Sequence, residues 1–301
     1  MDFDKVCKDI KTLKIQGAVS VAKAGADAFY FFYIKNKNSK DIIKKLKISA
    51  KKLIKTRSTE PALRNVIAYY FHEIEKCKTE KELTKHFNLR YKFIKNHFEE
   101  SKKTILNYAF KKIKKNSIVY THCHSSLVCD ILIYAWKKGI KFEVYNTETR
   151  PLFQGRKTAL QLSKAGIPVT HFVDSAARHA IKKADIVFLG VDAISTTKIY
   201  NKIGSETIAM IASNFDVPVY FCTDSWKFDS KTIFGFDEEI EKRLGKEVWD
   251  KAPKKIKIYN YAFDQVSPKY ATAIISELGV FDHSSFVDIA RKKLEKINIL
   301  L

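Results

Sequence analysis

The sequence predicts an α/β protein: a helical N-terminal domain followed by a Rossmann-like parallel sheet with flanking helices. Three observations predict it. Apolar residues recur at i, i+3 and i+4 from residue 5 to about residue 115. From residue 117 short β-branched runs alternate with helical patterns. Polar and reactive residues gather directly behind those runs. The change of rhythm falls at Asn116, which divides the chain into a helical domain over 1–115 and a Rossmann-like α/β domain over 116–301.

Taken in order, KVCKDIKTLKI (5–15), GAVSVAKAGADAFYFFYI (17–34), KNSKDIIKKLKISAKKLIK (37–55), EPALRNVIAYYFHEIEKC (60–77) and the stretch from Glu80 to Lys115 all have helical spacing. The strands follow as SIVYTH (117–122), KFEVYN (141–146), VTHFV (169–173), DIVFLG (185–190) and VPVYFC (217–222). Between them lie the helical patterns SLVCDILIYAWKKG, GRKTALQLSKAG, SAARHAIKKA and IGSETIAMIASNF. Gly139 and Gly166 stand where helix C-termini call for a stop. From Lys254 the pattern adds one strand, KIKIYN, and two helices.

Composition narrows the class. The 301 residues are 46% hydrophobic and 13% aromatic, enough for a sizeable core. Apolar runs stay short of the roughly 18–20 residues that span a bilayer, and the start, MDFDKVCKDIKTLK, lacks the apolar centre of a secretory signal. Five scattered cysteines without a CxxC pair suit a reducing compartment. These features lead us to expect a soluble, cytoplasmic protein. The net charge of +22 raises the question of nucleic acid. However, it is mostly lysine spread over helical stretches, with no zinc-finger or RNA-recognition signature, so it reads as solvated helix faces.

In an open parallel sheet, ligands bind beyond the carboxyl ends of the strands. Five predicted strands end in THCHSS (121–126), NTETRP (146–151), DSAARH (174–179), Val191-Asp192-Ala193 and TDSWKF (223–228). One crevice is thereby expected to collect Cys123, His122, His124, Glu148, Arg150, Asp174, Arg178, His179, Asp192 and Lys227. A zinc clip at THCH is disfavoured because neighbouring strand residues point to opposite faces. A serine nucleophile lacks its GxSxG elbow, and a dinucleotide site lacks GxGxxG. What remains is a thiol facing carboxylates among cations, able to serve as base or nucleophile, with Asp192 as an acid. Arg150, Arg178, Lys202 and the helix start at Ser125-Ser126 suit phosphate groups. Equally, Cys123 fits a small hydrophobe closing a strand. His179 fits a core or cap position.

The sequence also resembles a superfamily. It unites the α, β and δ subunits of translation initiation factor 2B with methylthioribose-1-phosphate isomerase and the archaeal ribose-1,5-bisphosphate isomerase. The likeness is carried by Ile15-Gln16-Gly17-Ala18, Thr56-Arg57-Ser58-Thr59 with Pro61 to Asn65, THCHSS, Thr147-Glu148-Thr149-Arg150-Pro151 with Gln154-Gly155, and Asp174 to His179. Gly190-Val191-Asp192-Ala193-Ile194, Asn201-Lys202-Ile203-Gly204, Trp226-Lys227-Phe228 and Ala262-Phe263-Asp264 continue it. THCHS, TETRP and DSAARH are most similar to the ribose-1,5-bisphosphate isomerase branch. That resemblance implies an aldose–ketose isomerase of AMP degradation, with Cys123 and Asp192 as the catalytic pair. It implies substrate and phosphate contacts at Gln16, Gly17, Ala18, Arg57, Ser125, Ser126, Arg150, Asn201, Lys202 and Lys227. It further implies no metal or organic cofactor, a homodimer or a hexamer of dimers, and AMP as activator. The competing class is a non-catalytic archaeal initiation-factor-2B-like subunit that binds nucleotide or sugar phosphate and contacts initiation factor 2.

Three positions depart from the family pattern. Gln16 stands where the family has arginine, and Val191 where it has alanine. The loop from Asp192 to Asn201 is about one residue short and lacks its usual glycine.

Overall fold

The structure is a computed structural model that describes residues 1–236, 240 and 242–296; residues 297–301, the end of the expected α/β segment, lie outside the described residues. Five helices come first: α1 (Phe3–Lys11), α2 (Ala18–Asn36), α3 (Ile42–Ile54), α4 (Pro61–Phe71) and α5 (Glu80–Ala109). Their ends follow local chemistry. The Asp2 carboxylate accepts from the Asp4 and Lys5 N–H groups at the start of α1. Pro61 opens α4, where a missing N–H costs nothing. Thr79 and Glu82 form a reciprocal capping box at the start of α5.

The alternating part follows as β1 (Ile118–Thr121), α6 (Ser126–Lys137), β2 (Glu143–Thr147), α7 (Gln154–Lys164), β3 (Val169–Phe172), α8 (Ala177–Ile181), β4 (Ile186–Leu189), β5 (Ala193–Ile194), β6 (Ile199–Lys202), α9 (Ser205–Asn214) and β7 (Val219–Cys222). The chain closes with β8 (Phe263–Val266), β9 (Ala273–Ser276), β10 (Gly279–Phe281) and α10 (His283–Lys296). Seven strands form one sheet in the order β10-β9-β7-β4-β1-β2-β3. All of its pairings are parallel except β9 with β10. The strand order reverses between β1 and β4, which makes that gap the topological switch point. A small antiparallel sheet, β5-β6-β8, stands beside it.

The period-2 pattern of the strands sorts their side chains between two cores. Tyr120, Val187 and Phe221 pack with Val21, Phe29 and Tyr70 of α2 and α4. Their neighbours Val119, Phe188 and Cys222 face Ile105, Leu132 and Leu162 of α5, α6 and α7. The N-terminal helices thus share a continuous core with one face of the sheet.

Two expectations fail. KIKIYN (255–260) forms no strand, and the described residues near it give only an isolated bridge between Lys242 and Tyr261. Ile256 and Tyr259 are exposed, so the alternation there lies against no partner strand. Downstream of it, the described residues hold three strands and one α-helix where two helices were expected. Among the described residues, no helix is long and apolar enough to cross a membrane.

Candidate active site

A cavity of about 200 Å³ opens at the switch point, where the ends of β1 and β4 meet the starts of α2 and α6. Cys123 and Asp192 both line it. The chain leaves β1 at Thr121, and Cys123 takes a left-handed backbone with φ of 63°. For a non-glycine residue this costs on the order of 1–3 kcal/mol, so the surroundings must hold it. They do: the Cys123 N–H donates to Thr149 Oγ1 at 2.9 Å, and Thr158 Oγ1 donates to the Cys123 carbonyl at 2.8 Å.

The flanking histidines serve this turn. Buried His122 reaches the Ile203 carbonyl through Nε2 at 2.9 Å, so Nε2 carries the proton. Its Nδ1 then accepts from Thr147 Oγ1 at 2.7 Å. Burial keeps the ring neutral by lowering its pKa. Gly204, with φ of 100°, packs against this ring, and a Cβ there would sit 3.2 Å from Nε2. His124 Nδ1 lies 3.0 Å from Thr158 Oγ1, whose own proton goes to Cys123, so His124 is the donor. Burial lowers His124 to about 4.

Electrostatics set the state of the sulfur. Burial pushes the Cys123 thiol from an ordinary 9.0 up to about 12, while the Lys202 ammonium pulls it down. Burial lowers Lys202 below its usual value, and the charges of Cys123 and Asp192 oppose that shift. Two helix N-termini face the same space. Ser125 caps α6 through Val128 N–H, and Gly190 admits it, since a Cβ at Gly190 would lie 2.8 Å from the Ser125 Cβ. Gly17 opens α2 with no side-chain cap among the described residues, and Gly17, Ala18, Val19 and Ser20 line the cavity. Such ends attract anions.

Of the expected site residues, Gln16, Gly17, Ala18, Arg57, Ser125, Ser126, Asn201, Lys202 and Lys227 line this cavity together with the Cys123/Asp192 pair. Gln16 spends its Nε2 on the Leu13 carbonyl at 2.6 Å. Arg150 is a correction: it does not line the cavity, is exposed, and donates to the Val248 carbonyl at 2.9 Å. Asp174 lies outside as well, bonded to the Thr149 and Arg150 N–H groups. Glu148 pairs with Arg156, Arg178 lies over the Phe215 ring, and His179 is exposed on α8. The reason is geometric: β2 and β3 lie to one side of the switch point, so their ends miss the crevice.

Lining residues absent from the expected set include Gln154, Lys157 and Arg243, and also Ser20 and the buried Glu60. Gln154 presents a buried Oε1 without a hydrogen-bond partner among the described residues, and the Gln154-Gly155 pair was its signal. Lys157 follows on the same helix. Arg243, paired with Glu247 at 2.6 Å, comes from an irregular segment with no sequence pattern to mark it. The short loop after Asp192 closes without glycine, because Ser195 Oγ accepts from the Thr197 and Lys198 N–H groups.

Two other features fall outside the site. A larger groove of about 620 Å³, lined by Lys37, Glu80, Lys81, Thr84, Lys85, Asn88 and Leu89, is open to solvent and holds no such chemistry. His97, Asp224 and Glu277 come within 4.8 Å of one another; His97 bonds Asp224 Oδ1 at 3.0 Å and Lys293 pairs with Glu277 at 2.9 Å, while the buried Asp224 Oδ2 has no hydrogen-bond partner among the described residues.

The family model described as the initiation factor 2 subunit family matches residues 14–283. The chain belongs to the initiation factor 2 subunit family. Its relatives in that family include the ribose 1,5-bisphosphate isomerase of Thermococcus kodakarensis, 34% identical over 96% of this chain and 94% of the relative. The methylthioribose-1-phosphate isomerase of Exiguobacterium sibiricum is 30% identical over 96% of this chain and 88% of that protein. Among solved structures, the translation initiation factor eIF-2B of Pyrococcus horikoshii OT3 superposes with a TM-score of 0.78 at 24% identity, covering 93% of this chain and 96% of that one. That last likeness bears on the family fold alone.

Proposed function

We propose that this chain is an isomerase that converts ribose 1,5-bisphosphate to ribulose 1,5-bisphosphate by proton transfer through Cys123 and Asp192. The observation that carries the reading is the pairing of a thiol and a carboxyl in one cavity, from the ends of the two strands that flank the switch point. In the proposed reaction, protonated Asp192 gives its proton to the ring oxygen as the bond from carbon 1 to that oxygen breaks. The Cys123 thiolate removes the proton on carbon 2, leaving an enol between carbons 1 and 2. The thiol then returns its proton to carbon 1. The Asp192 carboxylate takes the proton of the carbon-2 hydroxyl, which becomes the ketone. Both groups end as they began, so no external oxidant or reductant is consumed.

A substrate with a phosphate at each end needs two anion sites. The starts of α2 and α6, with Arg57, Lys202 and Lys227 on the cavity wall, supply cationic and N–H donors suited to both. We assign the reaction to AMP degradation, with AMP as activator and a homodimer or a hexamer of dimers as the working form. Proton NMR of ribose 1,5-bisphosphate with the purified chain and AMP tests the proposal. Turnover that falls by roughly 10²–10⁴-fold in Cys123→Ser and in Asp192→Asn is expected. Absence of turnover, or activity confined to 5-methylthioribose 1-phosphate, overturns it.

A further inference from the structure

Asn65 lies on α4, is buried, and lines no part of the cavity. Its side-chain nitrogen donates to two backbone carbonyls, Trp226 O at 2.7 Å and Phe228 O at 3.0 Å. These carbonyls stand on either side of Lys227, and the two bonds use both hydrogens of the amide. Lys227 in turn reaches the cavity and donates from Nζ to the Val191 carbonyl, in the peptide that leads into Asp192. Just beyond, Phe228 bridges Ile194, and the Asp229 N–H donates to the Ile194 carbonyl at 2.7 Å. The strap at 226–229 therefore grips the Asp192 segment both before and after the carboxyl. A residue 161 positions away in sequence fixes that strap from the helical segment.

We propose that Asn65 is a positioning residue for the isomerase: it holds the strap around Lys227 and so keeps the Val191–Asp192 peptide in place at the cavity wall. The inference rests on the proposed function for its catalytic consequence, but its structural arm stands alone. Asn65→Ser retains one donor and shortens the reach. We expect a fall in kcat of roughly 10- to 100-fold, the effect of misplacing a reacting group, larger than any rise in KM. In a Lys227→Met background the same Asn65→Ser change should have a smaller further effect, because part of its action runs through the Lys227–Val191 bond. Hydrogen exchange should quicken at the Asp192 N–H, which is bonded to the Tyr200 carbonyl at 2.8 Å. Independent, multiplying effects of the two substitutions, or unchanged exchange at Asp192 in a folded variant, overturn the inference. If wild-type protein turns over no ribose 1,5-bisphosphate, the proposed function fails, and the exchange measurement still decides the role of Asn65. Asn65→Gln, which keeps the amide one methylene further out, serves the same measurements if the serine variant does not fold.

Discussion

The ionisation of Cys123 gives the sharpest test of the site. Burial raises its thiol from 9.0 to about 12, so near neutrality almost every molecule of the unliganded protein carries a protonated sulfur. The proposed active form pairs the thiolate with protonated Asp192 and holds as many protons as the thiol with the carboxylate, so log(kcat/KM) should stay level between the two titrations and fall by about one unit per pH unit above that of Cys123. Lys202 opposes the burial, and an opposite charge at short range typically lowers such a value by one to three units. Lys202→Met should therefore make the thiolate form scarcer and cut the rate at pH 8 by roughly 10- to 1000-fold. Lys202→Arg should restore much of it. Because burial also lowers Lys202 from 10.5, the wild-type rate should fall in the alkaline range as that charge is lost, and this fall should be absent from Lys202→Met. The assay is initial-rate kinetics across pH with all variants held folded. A Lys202→Met profile superimposable on wild type would refute the assignment of the sulfur as base.

Other consequences follow from single positions. Gly190→Ala places a Cβ 2.8 Å from that of Ser125, so the Ser125 cap must shift; calorimetry should show a loss of about 1–3 kcal/mol, and KM for the bisphosphate should rise, whereas wild-type stability and KM would contradict the packing argument. Gln16→Arg returns a guanidinium to the start of α2 and should lower KM by roughly one to two decades, the worth of a charge-assisted phosphate bond of about 1.5–3 kcal/mol; an unchanged KM would show that this end holds no phosphate. His124 is lowered from 6.5 to about 4, so between those values the unfolded chain binds a proton that the folded one refuses. That contribution to stability is complete above pH 6.5 and is lost as pH falls toward 4. Urea midpoints should drop from pH 7 to pH 5, with a smaller drop in His124→Gln, and equal drops in the two proteins would clear His124 of the effect.

How much of this was legible in the sequence depends on which physical signal each part used. The β-branched runs located five strands to within two residues, most cleanly at β1, β4 and β7, where burial on both faces leaves little room for polar residues. The polar strand ends correctly pointed to one edge of the sheet, but strand order was not readable, so Glu148, Arg150 and Asp174 were expected in a crevice that β2 and β3 do not border. β5 has two residues, too short for periodicity to register, and β6 reads Ile-Tyr-Asn-Lys, with no β-branched run to mark it. Arg243 sits in a segment without regular structure and left no pattern. Strand alternation does not by itself separate the metal-ligating side chains of THCH. The strand stops at Thr121, and Cys123 turns into a left-handed conformation, so alternation no longer governs it. What separates the three side chains is their bonding: His122 turns to Thr147 and Ile203, and His124 to Thr158.

The site is therefore a joint product of both parts of the chain. The sheet alone supplies Cys123, Asp192 and Lys202, but the wall opposite them comes from Gly17 and Ala18 on α2 and from Arg57 before α4. Asn65 on α4 secures the strap that carries Lys227. Those same helices bury Tyr120, Val187 and Phe221, each worth about 1.5–3 kcal/mol when removed from water. Docking of the helices and completion of the cavity are thus one event, driven by apolar contact and read out in polar geometry. A substitution that loosens the α2–α4 contact with the sheet acts on the position of the Asp192 segment as well as on stability. This coupling explains why residues as remote in sequence as Asn65 and Trp226 meet at a bond that touches no substrate.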